Sequence, residues 1–446
     1  MRNSPLVPLA LAAALVVAAV MLAASIPGDS TPLADSAPRA LRPPIAAVPD
    51  VEPPAAEGQD NLPPGSDTQP AQVDAPQSPP PPPAVVAPAP AAPTLPAATP
   101  RRAQRIPIEV KAIYLTSWSA ATPSRLAAAI DLIEGSELNA VVIDIKDYTG
   151  KVVFPTTDPL IAAVGSTVRR LDLAALVRRL HERDIYVIVR LAVFQDQHLL
   201  RARPDLAVRD PAGRIWRDRK GLGWVDPASE EVWRYVVAVA REAAMAGVDE
   251  LNFDYIRFPS DGQLATIRYP VFDARQTRRQ VLQRFFAFAT GELRAAGPVL
   301  SADLFGLVTV RADDLGIGQV IEDALLFFDV VAPMVYPSHY ARGFLGYANP
   351  AAHPYDVVAY SLTRAVQRRQ RLAATLAALC GEEERPEQGC TLAQIRPWLQ
   401  AFDLGAPYPP GAVRTQIRAV ADAGLHAGWL LWNPSNRYRA ASAAAQ

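Results

Sequence analysis

The sequence lacks the motifs that would bind a nucleotide or a metal ion. No GxGxxG run follows the first predicted strand and no GxxxxGK[ST] run occurs anywhere, so the phosphate-binding loop of nucleotide enzymes is missing. The five histidines include no HExxH motif, and none stands beside a cysteine pair at ligand spacing. We therefore expect no metal ion and no cofactor.

An excess of charge of one sign is also missing. The chain of 446 residues has 44 Lys and Arg and 45 Asp and Glu, which gives a formal net charge of -1. A balanced surface has no overall field to attract nucleic acid or an anionic membrane. We expect a neutral partner, no nucleic acid, and a monomer.

Cysteine is scarce, with only Cys380 and Cys390 in the whole sequence. They flank the polar stretch GEEERPEQG, which predicts a surface loop. A disulfide between them would close that loop, and such bonds persist in oxidising compartments. Two unrelated thiols are the alternative.

One apolar segment of about 20 residues, LVPLALAAALVVAAVMLAAS from Leu6, follows a short start that carries Arg2. This pattern predicts export, to the periplasm or the extracellular space. The segment could just span a bilayer core of roughly 30 Å, whereas Pro8 and the small residues before Ile26 suit cleavage. Residues 1–26 are therefore predicted to be either a signal peptide or a transmembrane anchor.

Residues 27–105 are rich in Pro, Ala, Asp and Gln and show neither helical nor strand periodicity. Proline removes backbone donors and favours the extended polyproline II conformation. We predict a disordered, semi-rigid linker that holds the following domain away from the membrane or the export site.

From residue 106 to about 440, short runs rich in Val, Ile and Leu alternate with longer stretches of helical period, which is the pattern of a parallel sheet. Eight strands are predicted: EVKAIYLTSW from Glu109, LNAVVIDIKD from Leu138, IYVIVRLAVF from Ile185, VDELNFDYIRF from Val248, PVLSADLFG from Pro298, FDVVAPMVYP from Phe328, IRPWLQAFDL from Ile395 and AGWLLWNPSN from Ala427. Helices are predicted at 123–134, 171–183, 229–246, 271–296, 317–325, 355–379 and 412–423. Eight βα units predict an α/β fold, the (β/α)8 TIM barrel, in preference to an open doubly wound sheet.

In a barrel the active site lies at the carboxyl ends of the strands, so polar residues there are the best candidates. Asp254 and Asp303 end the fourth and fifth strands and are the predicted catalytic residues, because glycoside hydrolysis usually needs two carboxyl groups. Asp254 shares a strand face with Glu250 and Asn252, and Lys146 or Arg190 could pair with it. A structural ion pair of Asp254 with Arg257 or Lys146 is the alternative.

Further polar and aromatic residues near the strand ends are predicted to bind substrate, since aromatic faces suit the C–H faces of sugar rings. They are Trp118, Asp144, Lys146, Tyr148, Arg190, Asn252, Arg257, Tyr336, His339, Trp432 and Asn433.

The ordered motifs AVVIDIKDYTGKVVF, RDRKGLGWVDPASEEVW, FDYIRFP, SADLFG and APMVYPSHY resemble a family of exported bacterial barrels known as the "putative glycosyl hydrolase" domain, formerly a domain of unknown function. The resemblance extends from about Val110 to Asn436. It implies a TIM barrel that cleaves, or transfers, glycosidic bonds of an extracellular or cell-envelope polysaccharide. A noncatalytic carbohydrate-binding barrel at the cell envelope is the alternative, because a fold alone does not fix a function.

Overall fold

Parallel strands alternate with helices in a computed structural model that describes residues 109–380 and 392–438, without the side chains of residues 379 and 380. The predicted N-terminal segment, the linker and the Cys380–Cys390 disulfide lie outside what is described. Within the described ranges, no helix is both long and apolar enough to cross a membrane.

The strands form one closed parallel barrel, which confirms the predicted fold. They are β1 (Val110–Leu115), β2 (Ala140–Lys146), β3 (Tyr186–Ala192), β4 (Glu250–Asp254), β5 (Val299–Phe305), β6 (Val330–Met334), β7 (Gln394–Ile395), β8 (Trp398–Gln400) and β9 (Gly428–Trp432). Neighbours pair in the order β5-β4-β3-β2-β1-β9-β8-β6, and the β5–β6 pairing closes the ring. Because β1 pairs with β9, the first and last strands are adjacent.

The seventh predicted strand is split into β7 and β8. Both segments pair with β6, but only β8 also pairs with β9. Pro397 lies between them and has no backbone N–H, so it cannot donate to the ladder. The barrel therefore has eight strand positions, and the two short strands β7 and β8 together occupy one of them.

Helices surround the barrel. They are α1 (Ser117–Ala121), α2 (Pro123–Glu134), α3 (Pro159–Val164), α4 (Leu173–His181), α5 (Gln197–Ala202), α6 (Glu230–Met245), α7 (Arg278–Leu293), α8 (Ile321–Phe327), α9 (Pro354–Cys380) and α10 (Pro410–Asp422). The short helices α1, α3 and α5, all in loops at the carboxyl ends of strands, were not predicted.

The predicted helix 271–296 begins later than expected, at Arg278. Thr277 caps it, accepting a hydrogen bond from the Gln280 backbone N–H while the Gln280 side chain accepts from the Thr277 N–H. The segment before it is held differently, since the backbone N–H groups of Val271 and Phe272 donate to buried Asp226 at 2.7 and 2.8 Å. These two donors hold an irregular segment against a buried carboxylate, and the helix begins only after that segment.

Side chains of β4 alternate as predicted. Leu251 and Phe253 are fully buried in the main core outside the barrel, whereas Glu250, Asn252 and Asp254 face the interior. At the amino end of the barrel Glu250 accepts hydrogen bonds from Arg396 at 2.8 and 3.0 Å. The two ends are therefore both charged, and only the carboxyl end opens onto the loops that carry function in this fold.

Candidate active site

Arg190 on β3 lies at the centre of a carboxylate cluster at the carboxyl end of the barrel. Its Nη1 donates to Asp144 Oδ1 at 2.7 Å and its Nε donates to Asp254 Oδ2 at 3.0 Å. The Nη2 group also contacts Asp254. Burial acts to lower the pKa of the guanidinium, but the charges of the surrounding carboxylates raise it well above its usual value. One permanent cation thus holds carboxyl groups from neighbouring strands in fixed positions.

Asp303 on β5 is the most deeply buried of the three carboxyl groups in the cluster, with 1% of its surface exposed. Its Oδ1 accepts hydrogen bonds from Asn252 Nδ2 at 2.9 Å and from Trp398 Nε1 at 2.8 Å. Among the described residues nothing donates a hydrogen bond to its Oδ2, which lies 3.7 Å from Arg190 Nε. Burial raises the pKa of Asp303 well above its usual value, and the charge of Asp254 raises it further, against the opposing effect of Arg190. Asp303 therefore favours the protonated form.

The carboxyl groups of Asp254 and Asp303 are close together. Arg190 Nε is 3.0 Å from Oδ2 of the first and 3.7 Å from Oδ2 of the second, so these two oxygens are at most 6.7 Å apart, the sum of the contacts. Asp254 Oδ1 also accepts from the Tyr255 N–H at 2.5 Å. Tyr255 has a φ of 54°, a left-handed conformation that is rare for a residue other than glycine. Such backbone strain is often found beside functional groups.

Asp144 on β2 extends the cluster toward β1. The hydroxyl of Tyr114 donates to its Oδ2, while Arg190 holds its Oδ1. Burial raises the pKa of Asp144, although Arg190 and Tyr114 oppose the effect. Burial, reinforced by the negative charge of Asp144, raises the pKa of Tyr114 well above its usual value. Tyr114 therefore remains a neutral hydrogen-bond donor.

A group of packed aromatic side chains, Tyr336, Trp432, Phe402 and His339, lies near the cluster and is called the aromatic wall here. The rings of Tyr336 and Trp432 are stacked at 5.1 Å with an interplanar angle of 29°. Phe402 packs with its edge toward both, and His339 packs against Tyr336 at 5.2 Å. Burial raises the pKa of Tyr336 well above its usual value, and the charges of Asp303 and Asp254 add to this effect. Carboxyl groups and aromatic rings close to one another are the side chains that sugar-binding sites use.

Comparison with known proteins bears on this site. The profile of a family described as "Putative glycosyl hydrolase domain" matches residues 112–438. The chain belongs to this family. No curated protein matches the chain.

Several solved structures are similar to this chain, and the first of those given next shares its barrel fold. The glycoside hydrolase domain of PgaB (BpsB) from Bordetella bronchiseptica is 15% identical, with a TM-score of 0.54 over 75% of this chain and 97% of that chain. A hypothetical protein from Ruminiclostridium thermocellum is 33% identical over 46% of this chain and 98% of its own, with a TM-score of 0.40. An α-galactosidase from Thermus thermophilus is 17% identical over 76% and 62%, with a TM-score of 0.44.

The structure brings several predicted site residues of the glycosyl hydrolase domain together. The cluster and the wall contain Asp144, Arg190, Asn252, Asp254, Asp303, Tyr336, His339 and Trp432. Two members were missed in the sequence, Tyr114 and Trp398. Strand alternation could have found both, because they occupy inward-facing positions of β1 and β8.

Of the two partners expected for Asp254, Arg190 pairs with it and Lys146 does not. Its fully buried ammonium group lies 2.8 Å from Asp196 Oδ2 and donates to the Ala192 carbonyl at 2.6 Å. An irregularity in the β2–β3 register between Asp144 and Lys146 changes the alternation, and Lys146 faces the ring of Tyr235 on α6 instead. Arg257 does not form the alternative ion pair with Asp254 in the contacts described, since Arg190 takes that place.

Four further predicted substrate-binding residues lie outside the cluster. Arg257 is buried over the ring of Trp224, 4.7 Å from its centroid. Trp118 is 65% exposed and packs against the guanidinium of Arg170 at 3.7 Å. The amide of buried Asn433 donates to two backbone carbonyls at 2.6 and 2.7 Å, and so stabilises a turn. Tyr148 is half-buried, and its carbonyl accepts from the Gln197 N–H at 3.1 Å.

Among the described residues no three His, Cys, Asp or Glu side chains are grouped as ligands of one metal ion. The cluster around Arg190 consists of carboxyl groups paired to a guanidinium, which is a geometry suited to acid–base chemistry on an organic substrate.

Proposed function

We propose that the protein cleaves, or transfers, glycosidic bonds of an extracellular or cell-envelope polysaccharide, with Asp254 as nucleophile or base and Asp303 as general acid. The observation that carries the proposal is the position of both carboxyl groups against one nitrogen of Arg190, with their Oδ2 atoms at most 6.7 Å apart. Retaining glycosidases place their two carboxyl groups roughly 5 to 5.5 Å apart, and inverting enzymes about 6.5 to 9.5 Å apart. The limit admits the retaining geometry and excludes most of the inverting range for these two oxygens.

The reaction needs one carboxyl group that carries a proton and a second that is held in position to attack, and the two groups differ in this way. The pKa of Asp303 is raised by burial and by the neighbouring charge of Asp254, so it keeps a proton to give to the leaving oxygen. Asp254 accepts hydrogen bonds at both oxygens, from Arg190 and from the Tyr255 N–H, and these contacts fix its orientation.

In the proposed retaining reaction, Asp303 protonates the glycosidic oxygen as the bond to the anomeric carbon breaks, and Asp254 forms a bond to that carbon. The leaving sugar departs with the proton of Asp303. Water then attacks the anomeric carbon, gives its proton to Asp303 and releases Asp254. An acceptor sugar in place of water would give transfer.

The surroundings of the reaction are part of the proposal. The substrate is a neutral polysaccharide or oligosaccharide, and the half-buried ring of Trp432, which is stacked on buried Tyr336, offers an apolar surface to it. We propose that the N-terminal segment exports the chain and, if retained, anchors it to the membrane through the linker. The protein is proposed to act as a monomer without a cofactor.

The test is a screen of envelope and extracellular glycans for reducing-end release by the wild type and by Asp254→Asn and Asp303→Asn. Asp323→Asn is the matched control, because Asp323 is also 1% exposed with a pKa raised by burial, but it pairs with Arg279 between α7 and α8. We expect Asp254→Asn and Asp303→Asn to lose turnover by at least about a hundredfold while the control keeps it. Equal turnover by wild type and Asp254→Asn would refute the assigned role.

A mechanism-based fluoroglycoside provides a second measurement. If Asp254 is the nucleophile, mass spectrometry of the trapped protein should find the sugar on the peptide that contains Asp254. A label on Asp144 or Asp303 instead would transfer the role to that residue.

One observation favours the noncatalytic alternative, a carbohydrate-binding barrel. Asp303 is only 1% exposed, whereas a general acid must contact the leaving oxygen. Binding of a glycan that is never cleaved, undiminished in Asp303→Asn, would support this alternative.

A further inference from the structure

A small polar pocket lies beside the cluster, between the loops that follow β3 and β4. Gln195, Asp218, Trp224, Tyr255 and Arg257 are among the residues that line it. Its free volume is about 10 Å³, which is close to the space that one water-sized group needs. The pocket is therefore large enough for one oxygen atom.

The side-chain amide of Gln195 is held in one orientation. Its Nε2 donates to Asp218 Oδ2 at 3.0 Å, and this same oxygen accepts from Trp224 Nε1 at 3.1 Å. The other oxygen of Asp218 accepts from two backbone N–H groups, at 2.9 and 3.0 Å. Because the carboxylate can only accept, the nitrogen end of the Gln195 amide must face it, and the oxygen end must point away.

That oxygen end is a buried acceptor. Gln195 is 3% exposed, and within the described part of the chain its Oε1 has no hydrogen-bond donor. A buried acceptor without a donor is costly, so such groups normally have a partner. The matching partner is a small group with an O–H, since an amide oxygen can only accept and needs a donor.

The pocket is connected to the proposed nucleophile through the backbone. Tyr255 lines the pocket and directly follows Asp254, and its N–H donates to Asp254 Oδ1. The Tyr255 carbonyl accepts from the N–H of Phe194, the residue before Gln195, at 3.3 Å. The loops that carry Asp254 and Gln195 are thus joined by a backbone hydrogen bond beside the pocket.

We propose that this pocket binds a single hydroxyl group of the sugar ring at Asp254, which donates its proton to Gln195 Oε1. The inference rests on the proposed function and narrows it, because a sugar whose hydroxyl is missing or bears a bulky substituent at that position would be rejected. Gln195 is a specificity-determining residue in this account, and Asp218 is a positioning residue that acts through it.

The experiment measures binding, so that it does not depend on turnover. Methyl glycosides of glucose, galactose and mannose, each with its series of monodeoxy analogues, are titrated by calorimetry into wild type, Gln195→Leu and Gln283→Leu. Gln283 is the control because it is also a buried glutamine that donates to a carboxylate, Asp323, away from the barrel opening. Thermal unfolding checks that each variant is folded.

We expect one deoxy position to lower the affinity of the wild type roughly tenfold to a hundredfold, and the Gln283→Leu variant to behave likewise. Gln195→Leu should bind the parent sugar roughly tenfold to a hundredfold more weakly than the wild type does. Removal of the same hydroxyl from the sugar should not lower the affinity of this variant further. A crystal structure of the wild type with the parent sugar should place the hydroxyl oxygen within hydrogen-bond distance of Gln195 Oε1.

Any of three results would overturn the proposal. The affinity could fall equally at that position in wild type and Gln195→Leu, it could fall at no particular position, or none of these sugars could bind. If Gln195→Leu does not fold, the crystal structure decides, and a sugar bound with the pocket unused contradicts the inference. If binding depends on one hydroxyl position but no glycan is hydrolysed, the proposed hydroxyl pocket stands and only the proposed catalytic function is refuted.

Discussion

Replacement of Arg190 by methionine tests whether one guanidinium organises the carboxylate cluster. The side chain of Arg190 is 16% exposed and contacts Asp144 at 2.7 Å, Asp254 at 3.0 Å and Asp303 at 3.7 Å. Removal of one partner from a buried ion pair usually costs about 3 to 5 kcal/mol, because the remaining charge is buried without compensation. We expect Arg190→Met to lose about that much of the free energy of unfolding at pH 8.

The loss should depend on pH, with a sign that follows from the charges. In the wild type Arg190 opposes the burial that raises the pKa values of Asp144 and Asp303, so without the cation these pKa values rise further and the folded variant keeps its protons to higher pH than the folded wild type does. Its stability relative to the wild type then falls as the pH rises, by about 1.4 kcal/mol per pH unit for each such proton. The variant should therefore be nearer to the wild type at pH 5 than at pH 8.

Urea unfolding monitored by circular dichroism at pH 5, 6.5 and 8 measures both effects. Arg203→Met is the control, since Arg203 pairs with Asp205 and Glu231 at the surface and should lose less than about 1 kcal/mol. A destabilisation by Arg190→Met below about 1 kcal/mol, or one that does not change between pH 5 and pH 8, would refute the central role of this residue.

Three further outcomes are expected. The raised pKa of Asp303 means that the folded state holds a proton that the unfolded chain releases above about pH 4, so Asp303→Asn should gain stability relative to the wild type as the pH rises from 4 to 8, measured by thermal unfolding. Trp118→Ala should weaken polysaccharide binding about threefold to tenfold in calorimetry without lowering the melting temperature, because this ring is 65% exposed. Gly150→Ala should destabilise the fold by about 2 kcal/mol more than Gly213→Ala in urea unfolding. Both glycines have φ near 78°, but only at position 150 would the added Cβ meet a side chain, 1.7 Å from Asp196 Oδ1.

Much of the candidate site could be predicted because strand alternation is a local property. Asn252 and Asp254 face the barrel interior as the two-residue period of β4 requires, and Asp303 follows from the same argument on β5. Tyr114 and Trp398 obey the same rule and were missed because each resembles an ordinary core aromatic in the sequence.

The remaining errors have a different origin. Lys146 lies one position beyond an irregular step in the β2–β3 register, and such a step reverses which face a side chain occupies. The late start of α7 depends on Asp226, a residue 45 positions before Val271 in the chain, which no local window could connect to it.

The sequence by itself determined the barrel, since eight alternations of apolar strand and amphipathic helix have few other ways to bury their apolar faces. It also determined that the fourth and fifth strands would carry carboxyl groups at or near their carboxyl ends. Only the tertiary structure decided that Arg190 would hold Asp144, Asp254 and Asp303 together, and that burial would raise the pKa of Asp303. Charge state depends on which groups are near and how much water is excluded, and both are set by contacts between residues far apart in the chain.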